Sequence, residues 1–216
     1  LGNVLREMGR LEEAIDSCRK AIDIKPEFAV ANYNLGIALQ GLGKTDEAVA
    51  SYQKALRIKP DYAEAHNNLG IALKEQGKLE QALESYQRAL TIKPGFAEVH
   101  SNLGNLLREM GRLEEAVTSC EKAVDINPDL AEARVNLGNV LLNLRRPNEA
   151  ISHCRKALAI KPNYVDANYA LGNALLKTGN FEEGLKHTLK GRGVIEFRDD
   201  ESQHFQLLMG HAQGEI

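Results

Sequence analysis

The stretch AVANYNLGIALQGLGKTDEAVASYQKALRIKPDY, residues 29–62, decides the fold of this 216-residue chain. In its first half, Leu35, Leu39 and Leu42 are three and four residues apart, which is the spacing of one face of an α-helix. Gly43 interrupts this pattern, and a turn is expected there because glycine adopts positive φ without steric cost. A second helix is predicted from the apolar stripe Ala48, Tyr52, Ala55 and Ile58. Pro60 cannot continue that helix, so the stretch predicts a helical hairpin.

This hairpin recurs with a period of 34 residues. LGNVLREMGRLEEA at 1–14 returns as LGNLLREMGRLEEA at 103–116, which is 102 residues, or three periods, later. Five of the six prolines keep the period, at Pro26, Pro60, Pro94, Pro128 and Pro162. Leu-Gly pairs keep it too, at 1–2, 35–36, 69–70, 103–104, 137–138 and 171–172. Self-similarity at a fixed period of this size indicates a stack of repeats.

The pattern resembles the tetratricopeptide repeat, or TPR, whose 34-residue motif has Leu-Gly in its first helix, Gly at the turn, Ala in its second helix and Pro at its end. With Ala29 as position 1, full repeats span 29–62, 63–96, 97–130 and 131–164. A partial repeat at 1–28 precedes them, and a divergent one at 165–198 follows. The resemblance implies an all-α solenoid over 1–198. It also implies a right-handed superhelix of antiparallel helix pairs, with the first helices lining the concave side.

Two parts of the chain depart from the motif. In the repeat 131–164 the turn glycine is replaced by Arg145, and Pro147 follows. Because proline is tolerated in the first turn of a helix, Pro147 is expected to open the second helix. The segment 199–216 places Phe205, Leu208 and Met209 on one helical face. It is expected to be a C-terminal capping helix over the last repeat, with docking in a neighbour's groove or the start of a further domain as alternatives.

The composition excludes several classes of function. A hydrophobic content of 43% and a charged content of 26% are ordinary for a soluble folded protein. A net charge of −3 gives no electrostatic basis for nucleic-acid binding. No apolar run approaches the roughly 18 residues of a membrane span, so no membrane insertion is expected. The odd count of three cysteines fits a reducing compartment, and a cytoplasmic location is predicted.

No group of residues predicts catalysis or a cofactor. The three cysteines, Cys18, Cys120 and Cys154, share position 24 with Tyr52 and Tyr86, and a position that accepts either residue is a packing site. His66 and His100 both occupy position 4, one in each repeat, and are therefore too far apart to share one zinc ion. The sequence has no CxxC or HExxH motif and no phosphate-binding loop. We expect no enzyme activity, metal or cofactor.

Two rows of asparagines remain to be explained. Position 6 of the first helix is Asn34, Asn68, Asn102 and Asn136, and position 9 is Asn3, Asn105, Asn139 and Asn173. These positions are i and i+3, so they share a helical face, which in the TPR family lines the concave groove. Asparagine is a mediocre helix former, so its recurrence needs a reason. An amide side chain both donates and accepts hydrogen bonds, as an extended peptide backbone does. The rows therefore predict a non-catalytic scaffold that binds an extended protein segment.

The stretches HNNLG (66–70), HSNLG (100–104) and ARVNLG (133–138) resemble the asparagine ladder in the TPR region of O-linked N-acetylglucosamine transferases. That resemblance implies that the position-6 asparagines hold a peptide backbone. An alternative is that Asn persists through repeat duplication or through contacts between adjacent helices.

Position 2 adds an acidic row, Glu64, Glu98, Glu132 and Asp166. Such an edge would favour a ligand carrying Lys or Arg, unless these are ordinary first-turn carboxylates. Position 5 is Tyr33, Asn67, Ser101, Val135 and Tyr169. Co-chaperone TPRs that clamp a C-terminal carboxylate have Lys there, so its absence argues against that activity.

Two other functions stay open. The chain could be the substrate-recognition arm of a larger enzyme of the glycosyltransferase or sulfotransferase type. It could also self-associate through the exposed ends of its solenoid.

Overall fold

The computed structural model describes residues 10–192, which form eleven α-helices and no strand. The helices are α1 (Leu11–Ile24), α2 (Ala29–Gly41), α3 (Thr45–Ile58), α4 (Ala63–Glu75), α5 (Leu79–Ile92), α6 (Ala97–Glu109), α7 (Leu113–Ile126), α8 (Ala131–Asn143), α9 (Pro147–Ile160), α10 (Val165–Lys177) and α11 (Phe181–Gly191). The predicted all-α fold of paired helices is confirmed. Asn3 and the proposed capping segment at 199–216 lie outside the described residues.

The chain divides into two compact units, Leu1–Arg112 and Leu113–Ile216, whose described parts contain α1–α6 and α7–α11. In the first unit, α2 packs on α3 and α4 on α5 as hairpins, and each hairpin contacts the second helix of the preceding repeat. The first helices α2, α4 and α6 also contact one another in sequence, whereas α1, α3 and α5 do not within the described residues. The first helices therefore line the inner side of this stack.

The second unit is built in the same way. The hairpins are α8 with α9 and α10 with α11, and α7 packs on α8. The first helices α8 and α10 touch, while the described second helices α7, α9 and α11 do not touch one another. In each unit we call the surface formed by positions 2, 5, 6, 9, 12 and 13 of the first helices the inner face.

Close contact between the two helices of a hairpin explains the small residues of the repeat. A Cβ atom on Gly36 would lie 2.5 Å from Cε1 of Tyr52, and one on Gly70 would lie 2.6 Å from Cε1 of Tyr86. Only glycine fits at position 8 where a second-helix side chain approaches this closely. The second-helix alanines at position 20, Ala48, Ala82, Ala116 and Ala150, are all fully buried.

The turn within each hairpin needs a left-handed residue. Gly43 and Gly77 have φ of 72° and 73°, and Arg145 takes the same conformation at 58°. The prediction for Pro147 is confirmed, because it is the first residue of α9. The replacement of glycine by arginine thus changes the residue but not the turn.

Candidate functional site

The four position-6 asparagines lie on first helices and are half-buried. Asn34, Asn68 and Asn102 belong to α2, α4 and α6 of the first unit. Asn136 belongs to α8 of the second unit. Within the first unit, the predicted row therefore runs along three neighbouring helices of the inner face.

A lateral hydrogen-bond network joins these helices. Asn68 Nδ2 donates to Tyr33 Oη at 3.2 Å, and Asn102 Nδ2 donates to Asn67 Oδ1 at 3.0 Å. Asn67 Nδ2 in turn donates to Asn68 Oδ1 at 3.2 Å. In each of the two inter-repeat hydrogen bonds, the asparagine at position 6 donates to the residue at position 5 of the preceding repeat, which lies 35 residues earlier in the sequence. The alternative explanation of the row, contact between adjacent helices, therefore holds for Asn68 and Asn102.

The network leaves hydrogen-bonding capacity on the same amides. An asparagine side chain has two N–H donors and an oxygen that can accept two bonds. Asn68 uses one donor and one lone pair, and Asn102 uses one donor. Among the residues that the structure describes, Asn34 has no side-chain hydrogen-bond partner. The lateral bonds also hold the amide planes of Asn68 and Asn102 in a fixed orientation.

A second lateral row lies near the C-terminal ends of the first helices, and the sequence analysis missed it. Gln40 Nε2 donates to Glu75 Oε1 at 2.9 Å, and Lys74 Nζ lies 2.8 Å from Glu109 Oε1. Both pairs join position 12 of one repeat to position 13 of the next. The sequence does carry a signal for this row, because a hydrogen-bond donor or cation at position 12 is followed 35 residues later by a glutamate at position 13. This end of the inner face is therefore polar, whereas position 9 of α2 and α4 is apolar in Ile37 and Ile71.

The position-9 asparagines within the described residues, Asn105, Asn139 and Asn173, are half-buried. Asn105 Oδ1 accepts a hydrogen bond from Arg108 Nη2 at 3.0 Å. Asn173 hydrogen-bonds the Tyr169 hydroxyl and, together with Arg192, lowers the pKa of that phenol. Asn139 lies on α8. These residues do not form a lateral row like that of position 6 in the described parts of either unit.

The position-2 carboxylates lie at the edge of the inner face, beside the loops that end their own repeats. Glu64 Oε1 is 3.7 Å from Lys93 Nζ, and the Lys93 ammonium also lies 4.2 Å from the centroid of the Phe96 ring. Glu98 and Glu132 are exposed. Burial, and then the charges of Glu132 and Asp166, raises the pKa of Tyr164 to about 12. The charge of Glu64 is partly neutralised by Lys93 of the same repeat, whereas Glu98 and Glu132 remain exposed.

Position 4 attaches each first helix to the loop before it. His66 Nε2 lies 2.9 Å from the Pro60 carbonyl oxygen, and His100 Nε2 lies 2.9 Å from that of Pro94. Arg134 Nε donates to the carbonyl oxygen of Pro128 at 2.8 Å. These residues therefore have a structural role. Between residues 10 and 192, no cluster of three or more His, Cys, Asp or Glu side chains is placed to hold a metal ion.

The cysteines are packing residues, as predicted. Cys18, Cys120 and Cys154 are buried and form no disulfide in the described range. The Cys154 Sγ would lie 2.8 Å from a Cβ added to Gly138, so this thiol fills the place that tyrosine takes in other repeats. Burial raises the pKa of Cys154 to about 12, which disfavours the reactive thiolate.

In the part of the chain that the structure describes, every helix is too short or too polar to span a lipid bilayer.

Comparisons with known proteins agree with this architecture. Residues 2–43, 41–77 and 72–111 match a family model described as TPR repeat, and residues 95–163 and 141–188 match models described as tetratricopeptide repeat. No curated protein matches the chain significantly.

Several solved structures share the fold. TTC0263, a thermophilic TPR protein of Thermus thermophilus, is 27% identical with a TM-score of 0.68, over 81% of this chain and 95% of that one. PilF of Pseudomonas aeruginosa is 26% identical with a TM-score of 0.69, over 79% of this chain and 78% of that one. YrrB, described as a TPR protein with an unusual peptide-binding site, is 24% identical with a TM-score of 0.62, over 83% of this chain and 92% of that one. At that identity the likeness to YrrB shows the fold alone. The repeat pattern, the paired helices and the family models together show that the chain belongs to the tetratricopeptide repeat family.

Proposed function

We propose that this TPR scaffold binds an extended segment of a partner protein on its inner face, without catalysis of its own. The observation that carries the proposal is the row of half-buried asparagines on successive first helices. Asn34, Asn68 and Asn102 retain donors and acceptors after their bonds within the protein are counted. Such groups on the inner face are available to a ligand.

An extended peptide fits the chemistry of these amides. Each residue of an extended backbone presents one N–H donor and one C=O acceptor. The capacity left on Asn68, one N–H and one lone pair, is complementary to that pair. Because the bonds go to the backbone, the ladder accepts many side-chain sequences. The lateral network supports affinity as well, since side chains that are already ordered lose less entropy on binding.

Charge at the groove edge favours a basic segment. Glu98 and Glu132 are exposed, whereas Glu64 lies close to Lys93. Exposed carboxylates attract a ligand that carries Lys or Arg and steer its approach more than they add to its affinity. We therefore expect the preferred ligands to be unstructured segments with a net positive charge.

Selection from a display library of unstructured peptides, followed by measurement of affinity, tests the proposal. Alanine variants at Asn34, Asn68, Asn102 and Asn136 should each weaken binding by about 0.5–1.5 kcal/mol, the net contribution of one hydrogen bond. Asn34→Ala is the clearest variant, because it removes no hydrogen bond within the described protein. Asn163→Ala, in an exposed loop, is the matched control.

Unchanged affinity in the quadruple variant, with an unchanged melting temperature, would refute the proposed role of the row. A lower melting temperature with unchanged affinity would support a purely structural role, through the bond from Asn68 to Tyr33 and its counterpart at Asn102.

A second candidate function is the recognition arm of a larger enzyme. It is favoured by the Asn-Leu-Gly row, which resembles that of O-linked N-acetylglucosamine transferases. The full gene product tests it, since a catalytic domain outside these repeats is required.

We place the binding function in the cytoplasm, because all three thiols are buried outside disulfides in the described range. Self-association through the ends of the stack would appear as concentration-dependent sedimentation.

A further inference from the structure

Two isoleucines interrupt the polar residues on the inner face of the first unit. Ile37 on α2 and Ile71 on α4 both occupy position 9, three residues after Asn34 and Asn68, and both are half-buried. Positions three residues apart share one face of a helix, so each isoleucine lies next to the asparagine of its own helix. Because α2 and α4 contact each other, the two isoleucines lie on neighbouring helices. We call Ile37 and Ile71 the isoleucine pair.

Hydrogen bonds between the two helices lie on both sides of the isoleucine pair. Toward the N-terminal ends of the helices, Asn68 Nδ2 donates to Tyr33 Oη at 3.2 Å. Toward the C-terminal ends, Gln40 Nε2 donates to Glu75 Oε1 at 2.9 Å. Both bonds join α2 to α4, so the pair is an apolar patch of one residue per helix between two rows of polar side chains.

Stacking of the repeats does not require an apolar residue at position 9. The same position is asparagine in Asn105, Asn139 and Asn173. In the first unit α6 contacts α4, and in the second unit α8 contacts α10, as α2 contacts α4. Isoleucine is also a weaker helix former than leucine or alanine, so helix propensity does not explain its presence. Apolar surface with a few well-placed polar groups is the usual composition of a binding site.

The spacing of the first helices selects the conformation of a ligand that reaches both isoleucines. Helices in contact lie about 8–10 Å apart. Three residues of a β-strand cover about 10 Å, but the side chains at i and i+3 then point to opposite sides of the strand. In a polyproline II helix three residues make one turn and advance about 9 Å, so the side chains at i and i+3 lie on the same side. A polyproline II segment therefore presents one side chain to each isoleucine.

The backbone of such a segment also suits the asparagine row. It has no internal hydrogen bonds, so its N–H and C=O groups are free to bond a protein. Asn68 retains one N–H and one lone pair, and Asn34 has no side-chain hydrogen-bond partner among the described residues. An α-helical ligand would leave these amides without partners, because its backbone groups bond one another.

From the isoleucine pair and the helix spacing we propose that the inner face of the first unit binds a polyproline II segment with apolar side chains at i and i+3. This inference rests on the proposed function, since the asparagine row holds the backbone of the same segment. One apolar side chain contacts Ile37 and the other contacts Ile71, while the two residues between them face solvent. Because one repeat spans three ligand residues, proline is accepted wherever the ligand N–H would bond no asparagine.

The affinity of synthetic peptides for the full chain tests the spacing. Three peptides share one composition, two leucines among alanine, serine and lysine, and carry the leucines at i and i+3, at i and i+2, or at i and i+4. By fluorescence anisotropy we expect the i, i+3 peptide to bind about tenfold more tightly than the other two, because each of those loses the burial of one leucine side chain.

A double variant assigns this preference to the isoleucine pair. Ile37→Asn with Ile71→Asn introduces the residue that position 9 has in Asn105, within an otherwise similar helix. The preference for the i, i+3 peptide should fall to about twofold or less in this variant. Ile24→Asn is the matched control, because Ile24 ends α1 and is 87% exposed, and this variant should keep the full preference.

Equal affinity of the three peptides for the native chain, or tighter binding of the i, i+2 peptide, would overturn the proposal. A full preference in the double isoleucine variant would also overturn it, by placing the apolar contacts elsewhere. The variant Asn34→Ala with Asn68→Ala separates the inference from the proposed function. Unchanged affinity with the preference retained would refute the asparagine row and keep the isoleucine pair, whereas weaker binding of all three peptides with the preference retained supports both. No binding of any peptide would overturn both.

Discussion

Single residues carry the conformational demands of the repeat, and Arg145 is the least expected of them. Its φ of 58° is the left-handed conformation that Gly43 adopts in an earlier repeat. A side chain there costs energy because Cβ approaches the following carbonyl oxygen. The sequence showed that Arg145 replaces glycine, but only the structure shows that the backbone did not change in response.

Arg145→Gly should therefore stabilise the protein by about 0.5–1 kcal/mol, the relief of strain less the extra chain entropy of glycine. Urea unfolding measures the change. As a control, Gly43→Ala should destabilise by a similar amount, since a Cβ there meets no atom within 4 Å and the cost is conformational alone. A lower free energy of unfolding for Arg145→Gly would show that the arginine side chain stabilises the turn.

Gly36 is required because a larger residue would clash with the second helix, whereas the turn glycines are required for their positive φ. A Cβ at this position would lie 2.5 Å from Cε1 of Tyr52, so Gly36→Ala should destabilise by about 1–3 kcal/mol through overpacking. Gly95→Ala is the control, because a Cβ there meets nothing within 4 Å. Equal melting temperatures for the two variants would contradict the close-contact explanation of the Leu-Gly pair.

At the level of helices, the sequence predicted the elements well, because periodic apolar residues, glycines and prolines act locally. The start of α9 at Pro147 is one example. The sequence did not assign hydrogen-bond partners to the asparagine row, since Asn67 and Asn102 meet only when two repeats stack. The role of position 4 was missed for the same reason, because the bond of His66 goes to a loop carbonyl of the preceding repeat.

Partly buried histidines make the stability of the protein depend on pH. Burial is the main cause that lowers the pKa of His66, His153 and His187 in the folded protein. A histidine with a lowered folded pKa binds its proton more readily when unfolded, so stability is complete above the unfolded pKa of about 6.5 and falls as pH drops below it. The free energy of unfolding should therefore decrease between about pH 7.5 and about pH 5.

Two variants isolate the histidine contribution. His66→Asn introduces the residue found at position 4 in Asn32, and His153→Ser introduces the residue found at position 23 in Ser51. Each should reduce the loss of stability on acidification, as measured by urea unfolding at the two pH values. An identical pH dependence in the double variant would assign the effect to other groups.

For the chain as a molecule, the sequence predicted a stack of helical hairpins, and the structure and the family models agree. The position-6 row was also found in sequence, because the period aligns Asn34, Asn68 and Asn102. The sequence could not show how many hydrogen-bond donors and acceptors of each asparagine amide remain available to a ligand. That depends on the bonds to Tyr33 and Asn67, which only stacking creates.

Side-chain amide resonances report most directly on whether the asparagine row binds a peptide. Nitrogen-15 NMR spectra of the full chain, titrated with a peptide selected from the display library, resolve each asparagine NH2 group. The account predicts saturable shifts at Asn34, Asn68, Asn102 and Asn136, with the exposed Asn163 unchanged. Saturable binding of the peptide with all four of these amides unmoved would contradict it.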